Sequence, residues 1–191
     1  MLNRQAVLLY YKKERRRMTL EGQFQIYTGD GKGKTTAALG LAVRAAGAGM
    51  RVYIGQFIKD QEYHEVPLLR RLGVVVELYG TGKGCLIGKH PAQEDLDAAA
   101  DGLKKAQAAL QSGQYDLVIL DEINVAWQLG LLQETQLEQL AKLRPQPVEL
   151  VYTGRGCPPA LLQLADLVTE MQEVKHYYHT KGLLAREGIE H

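Results

Sequence analysis

Gly29-Asp30-Gly31-Lys32-Gly33-Lys34-Thr35-Thr36 is the stretch that decides the fold. It follows a short β-type run, Phe24-Gln25-Ile26-Tyr27, and leads into a helical pattern that starts Thr36-Ala37-Ala38-Leu39-Gly40-Leu41-Ala42-Val43. Strand, loop and helix in that order are the setting of a phosphate-binding loop. Glycines let the backbone wrap closely around an anion, so that successive N–H groups point inward. The helix start adds unpaired N–H groups and the positive end of its dipole. Lys34 is placed to reach a phosphate as a point charge, and the Thr35 hydroxyl to join the shell of a Mg²⁺ ion. The competing reading is a lysine-rich turn before an ordinary helix, and the flanking strand and helix favour a nucleoside triphosphate site over it. The loop is a variant: the general pattern has a further glycine where this chain has Thr28, and a compact run with glycine at 29, 31 and 33 replaces it.

Outward from the loop, strands and helices alternate. Buried-type strands are expected over Val52–Phe57, Val74–Leu78, Asp116–Leu120, Val148–Tyr152 and Leu167–Met171. Helices are expected over Val66–Leu72, Gln93–Gln111, Glu134–Leu143 (ended by Pro145) and Pro158–Ala165. This alternation predicts an α/β fold: a mostly parallel sheet with helices on both faces, in the three-layer, RecA-like manner of P-loop NTPases. Ligands of such sheets sit at the carboxyl ends of the strands. The phosphate loop, Asp121-Glu122 and Thr153-Gly154-Arg155 all fall at such ends. A carboxylate of the Asp121-Glu122 pair can bind Mg²⁺ or orient a water; the plainer alternative is an N-cap for the next helix. Arg155, in a glycine-flanked turn, can clamp phosphate oxygens, or be an ordinary surface arginine.

The bulk numbers bound the rest. A length of 191 residues suits one well-packed domain, expected over 22–191. Residues 1–21 form an extension with a basic cluster at Lys12, Lys13, Arg15, Arg16 and Arg17, read as a solvated helix face rather than a nucleic-acid or membrane patch. The net charge of +1 argues against a dedicated nucleic-acid binder. Cys85 and Cys157 lack metal or redox spacing and read as packing residues of a reducing compartment. No apolar run has the length of a membrane span and no signal peptide is read, so the cytoplasm is the expected location. His176 and His179 lie three apart without an evident third ligand, and are read as structural or substrate-lining.

Several motifs together resemble one family. Thr28-Gly-Asp-Gly-Lys-Gly-Lys-Thr-Thr-Ala-Ala38, Gln56-Phe-Ile-Lys59, Leu120-Asp-Glu-Ile-Asn124, Thr153-Gly-Arg-Gly156, Ala165-Asp-Leu-Val-Thr-Glu-Met171, Val174-Lys-His176 and Ala185-Arg-Glu-Gly-Ile-Glu190 resemble, in order, the P-loop corrinoid adenosyltransferases. These are the ATP:cob(I)alamin adenosyltransferases of the CobA/CobO/BtuR type. The resemblance implies an enzyme that moves the 5′-deoxyadenosyl group of ATP to the cobalt of a reduced corrinoid and releases triphosphate. It also implies that the triphosphate lies reversed in the loop, presenting C5′ to the corrinoid. Carried over to this chain, Gly29, Asp30, Gly31, Lys32 and Gly33, through their backbone, and Lys34 hold the phosphates. Thr36 adds a phosphate contact, Thr35 and Glu122 bind Mg²⁺, and Arg155 is a phosphate clamp; Lys34, Glu122 and Arg155 are the expected catalytic set. A flavoprotein reductant, a homodimer and an N-terminal segment that covers an active site are further family expectations.

Two departures stand out. Asp30 occupies a position often held by asparagine. Where members carry a Gly-Phe-Thr-Trp stretch whose aromatics displace the lower ligand of cobalamin, this chain has Gly84-Cys85-Leu86-Ile87. Tyr63, Tyr79, Leu86 and Ile87 are the candidates for an apolar wall in its place.

Overall fold

The computed structural model describes residues 21–59, 61–81 and 90–190. Six strands form one sheet: β1 (Phe24–Thr28), β2 (Val52–Phe57), β3 (Val75–Tyr79), β4 (Leu117–Asp121), β5 (Glu149–Thr153) and β6 (Leu167–Glu170). Their order is β3-β2-β4-β5-β1-β6, and every pairing is parallel. The expectation of a mostly parallel sheet is thus met in full. The central strands β2 and β4 are buried at every position, as strands covered on both faces require. β6 lies at the rim, bonded to β1, and all four of its residues are exposed.

Among the described residues six helices lie between the strands, α1 (Lys34–Gly47), α2 (Glu65–Arg71), α3 (Gln93–Gln111), α4 (Ile123–Gln128), α5 (Glu134–Lys142) and α6 (Pro159–Leu164), and a seventh, α7 (Tyr177–Lys181), follows β6. They divide between the two faces of the sheet. On one, Ala38, Ala42 and Ala45 of α1 and Val66 and Leu69 of α2 pack on Ile54, Ile119 and Val151. The three alanines recur at helical spacing, and their small side chains let α1 lie close to the sheet behind the phosphate loop. On the other face, α3, α4, α5 and α6 cover Phe24, Ile26, Phe57, Val118, Leu120 and Tyr152.

Most expected boundaries shift by a residue or two. β3, β4 and β5 each begin and end one residue later than read, and α1 starts at Lys34 rather than Thr36. α4 and α7 were not expected; at six and five residues they are too short to show a helical period. Residues 1–20 and 82–89 lie outside the described set, and with them the N-terminal extension, Cys85 and the Gly84–Ile87 stretch.

Candidate active site

Strand β1 ends at Thr28, and the loop turns away at Gly29 with φ of 94°. Thr28, where the general pattern has glycine, is a paired strand residue opposite Glu170 of β6. The turn is therefore left to Gly29, whose lack of Cβ allows the positive φ. The loop is pinned by the chain that follows β6: the Met171 N–H donates to Thr28 O at 2.8 Å, and the Gly31 N–H donates to Met171 O at 2.6 Å. A Cβ on Gly31 would sit 2.7 Å from the carbonyl of Gln172. Gly31→Ala is accordingly expected to cost about 1–3 kcal/mol in stability and to weaken nucleotide binding, read from thermal melts with and without ATP.

Helix α1 starts behind Gly33, which has φ of 121° and supplies no side-chain cap. The first intrahelical bond runs from Ala37 N–H to Gly33 O at 2.7 Å. The N–H groups of Lys34, Thr35 and Thr36 thus stand without an intrahelical partner at the positive end of a 14-residue helix, a seat for an anion. The Lys34 ammonium folds back over the loop, donating to Gly29 O at 2.6 Å and Gly31 O at 2.7 Å. Burial lowers its pKa, with Glu122 and Asp30 opposing that shift and Arg155 adding to it.

The carboxylate pair at the end of β4 divides into two roles. Asp121 is fully buried. Its Oδ1 accepts from Thr35 Oγ1 at 2.9 Å and Thr153 Oγ1 at 2.7 Å; its Oδ2 accepts from Gln56 Nε2 at 3.1 Å and Lys59 Nζ at 2.9 Å. Burial pushes its pKa up, but Lys59 and the two hydroxyls outweigh it, so the carboxyl is held below its ordinary value. Four donors use the lone pairs of Asp121, so it has none left for a cation. Thr35 spends its proton on Asp121 and keeps its own lone pairs available.

Glu122 differs in every respect. Its backbone is left-handed, with φ of 59°, and its N–H donates to Thr153 Oγ1 at 3.0 Å. It occupies the N-cap position of α4 but makes no side-chain capping bond. Its Oε2 is buried without a partner. Burial and then the Asp121 charge raise its pKa, against the pull of Lys59, Lys34 and Arg155. A strained backbone that presents an unpaired carboxylate oxygen is a pattern met at functional sites. Both amide atoms of Asn124, two residues on, are also buried without partners. Among the described residues, the buried side-chain oxygens and nitrogens without a partner therefore gather within three positions after β4.

Arg155 follows Gly154 at the end of β5 and is exposed; its charge reaches both Lys34 and Glu122. A cleft of about 470 Å³, a size ordinary for small-molecule sites, opens beside the loop between Gly29, Asp30, Gln128, Cys157 and Glu170. The sheet topology brings these segments together: register sets Gln56 opposite Asp121 and Tyr27 opposite Thr153. The glycine-rich loop, the Glu122 carboxylate with its unpartnered oxygen and the exposed Arg155 thus share one edge.

A family model described as ATP:corrinoid adenosyltransferase BtuR/CobO/CobP matches residues 20–191. The chain belongs to this adenosyltransferase family. Proteins named corrinoid adenosyltransferase from Pseudomonas aeruginosa and Escherichia coli K12 are each 35% identical to it, over 170 and 167 residues. Those alignments cover 88% and 87% of this chain and 83% and 84% of the relatives. A Nostoc protein without an assigned function is 36% identical over 185 residues, 90% of this chain but 48% of its own length. The chain thus spans about half of that relative and more than four fifths of the two named ones.

Tyr79, one of the four candidates for an apolar wall, is a core residue instead. Tyr79 is 5% exposed, shares a hydroxyl hydrogen bond with Tyr53 and packs edge-on against Phe57 at 5.1 Å. Gly55 and Gly102 make its slot, since a Cβ on either would lie 2.6 or 2.5 Å from the ring. Tyr63 is half-buried, with the Lys59 ammonium 5.2 Å from its ring centroid. Lys59, Gln56 and Thr153 were missed as site residues. The signal was available in the Gln56–Lys59 motif, but the carboxylate they serve lies 62 or more positions along the chain for Lys59 and Gln56. Ile58, with φ of 68°, is the turn that swings Lys59 back over the strand ends. His176 accepts at Nδ1 from the Tyr178 N–H at 3.0 Å and caps α7, while His179 Nε2 lies 3.2 Å from Glu173. No group of three or more His, Cys, Asp or Glu able to hold a metal occurs among the described residues. Nor is any helix among them long and apolar enough to cross a membrane.

Proposed function

We propose that the protein transfers the 5′-deoxyadenosyl group of ATP to the Co(I) centre of a reduced corrinoid and releases triphosphate. The family match across residues 20–191 carries this reading. In the reaction the Co(I) electron pair attacks C5′, a Co–C bond forms, the C5′–O bond breaks, and triphosphate leaves with that bonding pair. The cobalt ends formally as Co(III). The attacking atom belongs to the substrate, so the protein needs no nucleophile of its own. Cys157 fits that: burial pushes its thiol up to about 12, which keeps it from acting as a thiolate at neutral pH.

The protein's work is alignment, charge neutralisation and exclusion of water. The backbone from Gly29 to Gly33, Lys34 and the N–H groups at the start of α1 hold the triphosphate. Thr36 and Arg155 add contacts from either side. The charge that develops on the departing triphosphate meets dipoles and cations that are already in place, so little reorganisation accompanies the bond change.

The donors also suit Mg²⁺, a hard cation that takes oxygen ligands and keeps several waters and phosphate oxygens. Thr35 Oγ1 and Glu122 would hold it, Asp121 being saturated. When bound, it supplies further charge neutralisation at the phosphates. Glu122→Gln should raise the Mg²⁺ concentration needed for half-maximal activity on the order of tenfold or more. It should leave the fold as stable as before in the absence of nucleotide, because it removes a buried charge beside Asp121. Activity against Mg²⁺ concentration, with a melt in parallel, checks both statements.

Further parts of the reading are a cytoplasmic, homodimeric enzyme supplied with electrons by a flavoprotein. The experiment for the reading is an anaerobic assay with chemically reduced cobalamin and cobinamide side by side. Adenosylation of either supports it. A preference for cobinamide, which lacks the bulky lower ligand, is the outcome expected of a chain with Gly84-Cys85-Leu86-Ile87 in place of the aromatic pair.

A further inference from the structure

We propose that Glu190 is a positioning residue of the ATP site, acting through Lys32 to tether the phosphate loop to the C-terminal segment. The proposal rests on the ATP-binding reading of that loop. Lys32 stands between Gly31 and Gly33, which offer it no side chain to pack against. A lysine stem in that position has several rotatable bonds and nothing local to order it. Its ammonium is nevertheless fully engaged: it donates to Glu190 Oε1 at 2.7 Å, to Ile189 O at 3.2 Å and to Tyr177 OH at 3.3 Å. Three protons meet three acceptors, so this side chain has no donor left for a phosphate.

Glu190 is held from the other side as well. The Tyr177 hydroxyl donates to its Oε1. Arg186 donates its backbone N–H to Oε2 at 2.8 Å and its guanidinium to Oε1 at 3.2 Å and Oε2 at 3.3 Å. Lys32 and Arg186 both lie against the Tyr177 ring, 5.9 and 5.0 Å from its centroid. Two cations, one carboxylate and one phenol thus form a closed network, and only Lys32 belongs to the loop. A single exposed ion pair is worth little, but several charges that order one another are worth more. The backbone of residues 31–33 is what the phosphates meet, and the Lys32 stem carries the tether's grip to it. The loop is therefore fixed twice: by Met171 through Gly31 N–H, and by Glu190 through the Lys32 side chain.

The test is a double-mutant cycle with Lys32→Ala, Glu190→Gln and the pair, reading the ATP dissociation constant by calorimetry without corrinoid and the KM and kcat for ATP with it. Each single variant is expected to weaken ATP binding and raise its KM by about three- to tenfold, with kcat within twofold at saturation. The pair should be no worse than either single variant, because both break the same tether. Additive losses would overturn the proposal. So would a Lys32→Ala loss far exceeding that of Glu190→Gln, which would make Lys32 a direct phosphate ligand. Unchanged binding in Glu190→Gln would do the same, and a fall in kcat with unchanged KM would mark Glu190 as merely structural. A wild-type chain that binds no ATP would instead overturn the nucleotide reading itself.

Discussion

Lys34→Ala is expected to lower the rate of adenosyl transfer by about 10²- to 10³-fold, the scale of losing one preorganised charge-stabilising donor. Lys34 is buried, so its positive charge acts with little screening by solvent, and it is already placed at the loop carbonyls of Gly29 and Gly31. Those carbonyls lose a charged donor in the variant, but backbone oxygens at a loop can turn to water. The fold is therefore expected to survive, with a melting temperature close to that of the parent. Steady-state rates and a thermal melt on one preparation separate the two effects. A folded variant that retained the full rate would contradict the phosphate role.

Asp121→Ala is expected to give the largest loss of stability, about 3–5 kcal/mol, because it leaves the Lys59 ammonium, only 14% exposed, without the fully buried carboxylate it pairs with. It also strips the acceptor from Thr35, Thr153 and Gln56 at once. For a chain of this length the loss corresponds to a fall of about 6–20 °C in Tm. The companion variant is Asp121→Ala with Lys59→Met. Removing both charges should recover much of the loss, since the cost lies in the uncompensated ammonium rather than in the missing attraction. Equal melting temperatures for the single and double variants would show that the pair is not the source. Neither variant is expected to regain activity, because Thr35 loses the acceptor that orients its hydroxyl.

Much of this arrangement is legible in the sequence. Alternating strands and helices, with carboxyl-terminal loops rich in glycine, carboxylate and arginine, are local signals that determine the sheet type and the edge where the site lies. The loop's anion seat was also legible, since Gly33 and the following helix start are contiguous in sequence. The division of labour between Asp121 and Glu122 was not. It depends on four donors arriving from β2, the turn after it, α1 and β5, and no periodicity records that convergence. Tyr79 failed for a similar reason. An aromatic at a strand end reads equally well as a ligand wall or a core residue, and only the slot made by Gly55 and Gly102 settles it. The tie between Lys32 and Glu190 spans 158 positions and leaves no trace in either local motif. Short helices such as α4 escape notice because six residues do not complete two turns.

On the proposed function, the loop at residues 29–36 seats a leaving group, with C5′ rather than the γ-phosphorus as the atom attacked. The most direct measurement is product analysis of an anaerobic reaction of the protein with ATP, Mg²⁺ and chemically reduced corrinoid, following the corrinoid spectrum and the phosphate species together. One adenosylated corrinoid is expected for each intact triphosphate released. ADP and orthophosphate formed without an adenosylated corrinoid would contradict it.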